Sequence, residues 1–135
     1  MIKLIIGNKG SGKTKRLVDM VNTAAKESLG NVVCIEKGDT LTYSVTHKAR
    51  LIDAEDFNIS GYSEYYGLVA GIKAGNHDVT HIFGDATLRI GSRDYEEFSA
   101  FLERIAKISD VEFIFTVSCD EGDLPKKIFN IAEAC

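Results

Sequence analysis

Gly7-Asn8-Lys9-Gly10-Ser11-Gly12-Lys13-Thr14 is the stretch that decides how this chain reads. It fits G-x-x-x-x-G-K-[ST], a pattern whose backbone wraps around phosphate. Glycines at 7, 10 and 12 permit close approach and positive φ. The N–H groups of such a loop point inward as an anion nest, and the helix that opens behind it adds partial positive charge. Average residue frequencies produce the pattern by chance about once in 200 chains of this length. The flanks strengthen it. Ile2 to Ile6 is a near-continuous apolar run, as in a strand buried on both faces. From about Gly12 to Leu29, the residues Leu17, Val21, Ala24, Ala25 and Leu29 recur at helical spacing. Gly30 stands where a glycine cap would end that helix.

Asn31 to Glu36 reads as a second strand carrying Val32, Val33 and Ile35. Between Gly38 and Ser60 two readings stay open: Leu41–Val45 and Lys48–Ile52 form a hairpin, or they contribute one added strand. A helix is expected from Ser63 to Ala74, with Tyr65, Tyr66, Leu68, Val69 and Ile72 on its apolar side and Gly75 as its cap. Val79 to Phe83 reads as a strand. Tyr95 to Ile108 reads as a helix, with Asp94 as N-cap and Glu97 three residues on. Val111 to Val117 is a strand rich in β-branched and aromatic residues. A last helix is expected near Leu124, capped by Asp123 with Pro125 in its first turn. Long crossovers between strands favour parallel pairing. The expected fold is α/β, a three-layer sandwich around a mostly parallel sheet of four to five strands, forming a single domain over residues 1–135. In such sheets ligands lie beyond the carboxyl ends of the strands.

Composition narrows the function. The chain has 135 residues, 44% hydrophobic and 27% charged, an ordinary globular balance. Sixteen Lys and Arg against twenty Asp and Glu give a net charge of −4, which argues against a nucleic-acid partner held by counterion release. Cys34, Cys119 and Cys135 are odd in number and far apart, without a CxxC, which argues against a disulfide framework or a cysteine zinc site. No apolar run reaches the ~18 residues of a membrane span. The opening MIKLIIG is too short for a signal peptide. The expectation is a soluble cytoplasmic protein with reduced thiols and no membrane partner.

A phosphate loop that holds a magnesium complex needs a second acid at the end of an apolar strand. Val79-Thr80-His81-Ile82-Phe83-Gly84-Asp85 supplies it, with Asp85 the one acid at that strand's carboxyl end. With residues 7–14 and Asp85 the chain resembles the P-loop NTPase superfamily. Element order extends the likeness over most of the chain, but it is specific only across the loop. It is most similar to the RecA-like branch, in which a strand intervenes between the P-loop strand and the Asp-ended strand. The resemblance implies ATP and Mg²⁺ as ligand and cofactor. Gly7, Asn8, Lys9, Gly10, Ser11, Gly12, Lys13, Thr14 and Lys15 would bind the phosphates. Thr14 and Asp85 would serve the metal, with Lys13, Glu36 and Asp85 as the catalytic set. It further implies slow or partner-stimulated hydrolysis and a protein partner or homo-oligomer.

Departures from the family shape that expectation. Many ATPases of the branch place a glutamate directly after the strand-end aspartate, and Ala86 stands there. Glu36, at the end of the second strand, is the best substitute for positioning water. A solvated charge before a turn is an equal reading, and Asp39 is a weaker candidate. A GTPase would need glycine where Leu88 stands and a guanine-reading Asn/Thr-Lys-x-Asp after the late strand, which is missing. The chain also has a distant likeness to type II thymidine kinases, without their zinc-binding segment. A small-molecule or nucleoside kinase and a nucleotide sensor without turnover are therefore the alternatives. Arg89 and Arg93 read as surface charges or as charge-stabilising fingers, and Gly91-Ser92 as a pivot for a moving loop. Ser118 reads as a strand-end hydroxyl or as a γ-phosphate sensor. Tyr62, Tyr65 and Tyr66 read as a cluster that stacks on a base or a partner, or as core or interface residues. His77 and His81 lack the spacing context of a metal pair.

Overall fold

A computed structural model describes residues 1–135 as one six-stranded sheet with helices on both faces. The elements are β1 (Ile2–Gly7), α1 (Lys13–Glu27), β2 (Asn31–Glu36), β3 (Arg50–Asp53), α2 (Tyr62–Gly75), β4 (Val79–Gly84), α3 (Thr87–Ile90), α4 (Tyr95–Ile105), β5 (Glu112–Ser118) and β6 (Ala132–Ala134). The strand order is β3-β2-β4-β5-β1-β6, and every pairing is parallel. The sheet thus has six strands rather than four or five, and no antiparallel member.

Alternation along the strands divides the core into two layers. Leu4, Val33, Ile35, Ile82, Phe113, Phe115 and Val117 face α2 and α4. Ile5, Val32, Cys34, Phe83 and Ile114 face α1. Near-continuous apolar strands follow from burial on both faces. Leu41, Val45 and Ala49 join the α1 layer, so the segment after β2 roofs that side of the sheet. Asn22 of α1 pins it, donating from Nδ2 to the Ser44 carbonyl at 3.0 Å and accepting from the Thr46 N–H at 2.9 Å. Of the two readings left open there, the added strand is the one found: β3 pairs parallel with β2 as an edge strand.

Three details differ from the sequence expectation. Helix α1 stops at Glu27, and Leu29 stands fully in solvent. Gly30 does not cap it in the left-handed region. A Cβ there would collide with the Asp78 carbonyl oxygen and the Thr80 methyl, so glycine serves close approach at that point. The C-terminal segment forms no α-helix. Lys126–Asn130 is a 3₁₀ turn, and Ala132–Ala134 adds a sixth strand beside β1. Helix α4 ends three residues early, at Ile105. Its Asp94 cap is as expected, accepting from the N–H groups of Glu96 and Glu97 at 3.0 and 3.1 Å. Glu97 does not return to the Asp94 N–H. Ser92 Oγ stands between them, accepting from Asp94 N and donating to Glu97 Oε1. No helix is long and apolar enough to cross a membrane.

Candidate functional site

Register places the glycine loop and Asp85 on the same edge of the sheet. β5 lies between β1 and β4, with Gly7 opposite Ser118 and Gly84 opposite Phe115. The loop leaving β1 and the residue following β4 therefore emerge side by side, with Thr116 and Ser118 between them. Residues 85 and 14, 71 positions apart in sequence, meet here. Thr14 Oγ1 donates to the Asp85 carboxylate, 3.3 Å from Oδ1 and 3.2 Å from Oδ2. Thr116 Oγ1 donates to Asp85 Oδ1 at 2.6 Å and accepts from the Ala86 N–H at 2.9 Å. Asp85 is 9% exposed, and its rotamer is fixed from two sides.

The loop itself requires its glycines. Gly10 and Gly12 have φ of 85° and 86°, where a side chain is strained. At Gly7 a Cβ would lie 2.5 Å from Ser11 Oγ. Lys13 folds back over the loop, and its Nζ donates to the Asn8 carbonyl at 3.0 Å. Asn8 Nδ2 donates to Asp120 Oδ1 at 2.7 Å, tying the loop to the segment after β5.

Asn8, Gly10, Gly12, Thr14, Thr116 and Ser118 border a cleft of about 1190 Å³, whereas Gly7 and Ser11 do not reach it. Lys9, Lys13, Lys15, Arg89 and Arg93 line it, with Asp85 as its one carboxylate. Five cations against one anion is a local excess that runs against the net charge of −4. Helix α1 carries no acid in its first turn and instead presents Lys13, Lys15 and Arg16 to the positive end of its dipole. Lys15 has Asp19 3.6 Å away in an exposed pair; for the others the placement is unfavourable without an anion nearby. Arg93 Nη2 donates to the Ser118 carbonyl at 2.8 Å, which aims its guanidinium along the same rim. Both arginines thus lie on the cleft wall.

Glu36 does not line the cleft. It is 2% exposed at the end of β2, where its carboxylate accepts from Thr40 Oγ1 at 3.2 Å and from the Leu41 N–H at 3.3 and 3.4 Å. Thr40 does line the cleft, so Glu36 stands one residue behind it. Burial raises the Glu36 pKa above the ordinary glutamate value, against the lowering by the Thr40 and Leu41 hydrogen bonds. As pH rises past the ordinary value, the unfolded chain releases this proton first, so the folded state loses relative stability until its own carboxyl ionises. Glu36→Gln is expected to gain stability relative to the wild type as pH goes from about 4 to about 7. Paired urea unfolding curves at the two pH values check this; a constant difference would refute it.

The remaining candidates fall outside the cleft. Tyr65 is buried, and Tyr62 packs on Phe98 and Phe101. Tyr66 lies beneath the Arg104 guanidinium, 3.8 Å from its ring centre. Tyr62 Oη donates to the Ser92 carbonyl at 2.6 Å, and a Cβ on Gly91 would strike the Tyr62 ring. The 91–92 segment is therefore anchored to α2 in this state. Asp39 does not border the cleft. His81 stacks on Phe83, with its Nδ1 2.8 Å from Thr80 Oγ1, and no group of three or more His, Cys, Asp or Glu side chains is placed to hold a metal. The Cys34 thiol is pushed up to about 12 by burial, with Asp85 and Glu36 adding to the shift, so it stays protonated. Thr40 and Asp120 were not candidates from sequence. Asp120 carried a signal in its position two residues beyond the end of β5, whereas Thr40 carried none. No family model matches the chain, and no curated protein matches it.

Proposed function

We propose that this chain binds a nucleoside triphosphate, ATP in the first instance, as its magnesium complex on a P-loop NTPase fold. Hydrolysis is slow or depends on a partner. The observation that carries the reading is the meeting of Thr14 with Asp85 at the mouth of a glycine loop, in a cleft with five cations and one carboxylate. A triphosphate matches that charge pattern. The strand between β1 and β4 agrees with the RecA-like branch.

The donor set fits magnesium better than a metal with an all-protein cage. Mg²⁺ is commonly held by one or two protein groups together with phosphate oxygens and water. Thr14 Oγ1 and the Asp85 carboxylate are such a pair. When bound, the ion would neutralise charge on the phosphates. The protein's own part is separable. Loop N–H groups and Lys13 orient the phosphate chain, Thr116 holds Asp85 in place, and Arg89 and Arg93 add positive charge from the segment after β4.

Slow turnover is favoured by one feature. Asp85 is the one acid in the cleft, and it is committed to Thr14 and Thr116. Ala86 follows it, and Glu36 acts on the cleft only through Thr40. A general base within reach of water or of an acceptor hydroxyl is what rapid hydrolysis or a kinase reaction would require. That favours a nucleotide sensor or conditional ATPase over a small-molecule kinase.

The test is calorimetric titration with ATP, with and without Mg²⁺, while phosphate and any phosphorylated acceptor are followed in the same samples. Magnesium-dependent binding with little phosphate release is the expected result. Asp85→Asn keeps an acceptor for Thr116 and is expected to remove most of the magnesium dependence, with a stability change within about 1 kcal/mol. Absence of ATP binding in the wild type would overturn the proposal.

A further inference from the structure

We propose that the cleft takes its ligand by the triphosphate chain alone, so that it accepts nucleoside triphosphates irrespective of base and inorganic tripolyphosphate as well. This rests on the reading of the site given above and names its ligand class. Sites that select a base stack it on an aromatic or flat apolar surface, or pair its edge with fixed donors and acceptors. Neither is built here. The cleft wall contains no aromatic ring, and its apolar lining is limited to Ala86 and Leu88. Leu88 is 3% exposed and offers almost no surface. Tyr43 and Phe57, the aromatic rings that stand in solvent, do not border the cleft. Most polar groups that could read a base edge are committed elsewhere, the Ser118 hydroxyl and the Asn8 side-chain oxygen excepted. Thr116 Oγ1 serves Asp85 and the Ala86 N–H, Thr40 Oγ1 serves Glu36, and the Ser118 carbonyl accepts from Arg93. What remains is positive charge from Lys9 and Arg89, and from Lys15, whose ammonium lies 3.6 Å from Asp19 in a solvent-exposed pair, together with the loop N–H groups, all of which recognise phosphate oxygens.

Competition calorimetry on the full chain in magnesium decides the matter, with ATP, GTP, CTP, UTP, inorganic tripolyphosphate and adenosine as the probes. The four nucleotides are expected to bind within about threefold of one another, and tripolyphosphate within about tenfold of ATP. Adenosine should not compete, and all binding should fall in Lys13→Ala. One nucleotide binding more than about tenfold tighter than the rest would overturn this inference while leaving the triphosphate site intact. Tripolyphosphate bound with no competition from any nucleotide would overturn both readings. So would anion binding undiminished in Lys13→Ala, which would place the anion elsewhere, or no binding by any probe.

Discussion

Lys13→Ala is expected to weaken nucleotide binding by about 100-fold or more, while leaving the fold as stable as before. A charge-assisted hydrogen bond from a largely buried ammonium to phosphate is worth about 2–3 kcal/mol or more, and each 1.4 kcal/mol is tenfold in affinity. Lys13 is 9% exposed, and the one hydrogen bond its ammonium makes runs to the Asn8 carbonyl. Its removal leaves that acceptor at a cleft open to water. It also takes one cation from a group of five, and one from the positive end of the α1 dipole. Repulsion relieved and a hydrogen bond lost oppose each other, so the unfolding free energy should change by less than about 1 kcal/mol. Calorimetry and urea unfolding of the same preparation read the two quantities. Loss of binding accompanied by a large loss of stability would make Lys13 a structural residue and remove the main support for a phosphate site.

That contrast explains which parts of the site could be read from sequence. A functional residue that works against local stability stands out from the pattern around it. Three cations at the start of an otherwise amphipathic helix, and glycines at two positions of positive φ, are such departures. Asp85 was legible because it ends an apolar strand whose burial fixes where the chain emerges. Glu36 ends a strand in the same way, yet its carboxylate turns to Thr40 and Leu41. Strand-end position sets where a side chain starts, and the following turn decides where it points. The C-terminal segment failed for a related reason. Leu124, Ile128 and Ile131 recur at spacings that suit a helix, and Leu124 and Ile128 are indeed buried. The free edge of β1 then draws Ala132–Ala134 into the sheet. Nothing in Ala-Glu-Ala favours a strand locally; the pairing partner is 130 residues away at Ile2.

Phe101→Ala is expected to lower the unfolding free energy by about 3–5 kcal/mol, and with it the midpoint temperature by about 10–18 °C. Phe101 is 2% exposed in the layer between the sheet and α2. Its ring centre lies 5.1 Å from that of Tyr62, 5.0 Å from Tyr65 and 5.8 Å from Phe115. Truncation removes the shared member of three aromatic pairs and leaves a cavity that rigid neighbours on a strand and a helix cannot close. The consequence reaches the cleft. Tyr62, held against Phe101 and Phe98, anchors the Ser92 carbonyl, and the Gly61 N–H holds the Ile90 carbonyl at 2.8 Å. Those contacts fix the segment that presents Arg89 and Arg93 to the ligand. A loosened Tyr62 should therefore weaken nucleotide binding in Phe101→Ala even at temperatures where the variant is fully folded. Tyr62→Phe separates the two effects. It keeps the ring packing and loses only the hydrogen bond to Ser92, so stability should fall by about 1 kcal/mol. Nucleotide affinity should fall with it if the arginine segment contributes to the site. Unchanged affinity in Tyr62→Phe would show that the Tyr62–Ser92 bond is not what holds the arginines in the site, which leaves that task to the Gly61–Ile90 and Arg93–Ser118 hydrogen bonds.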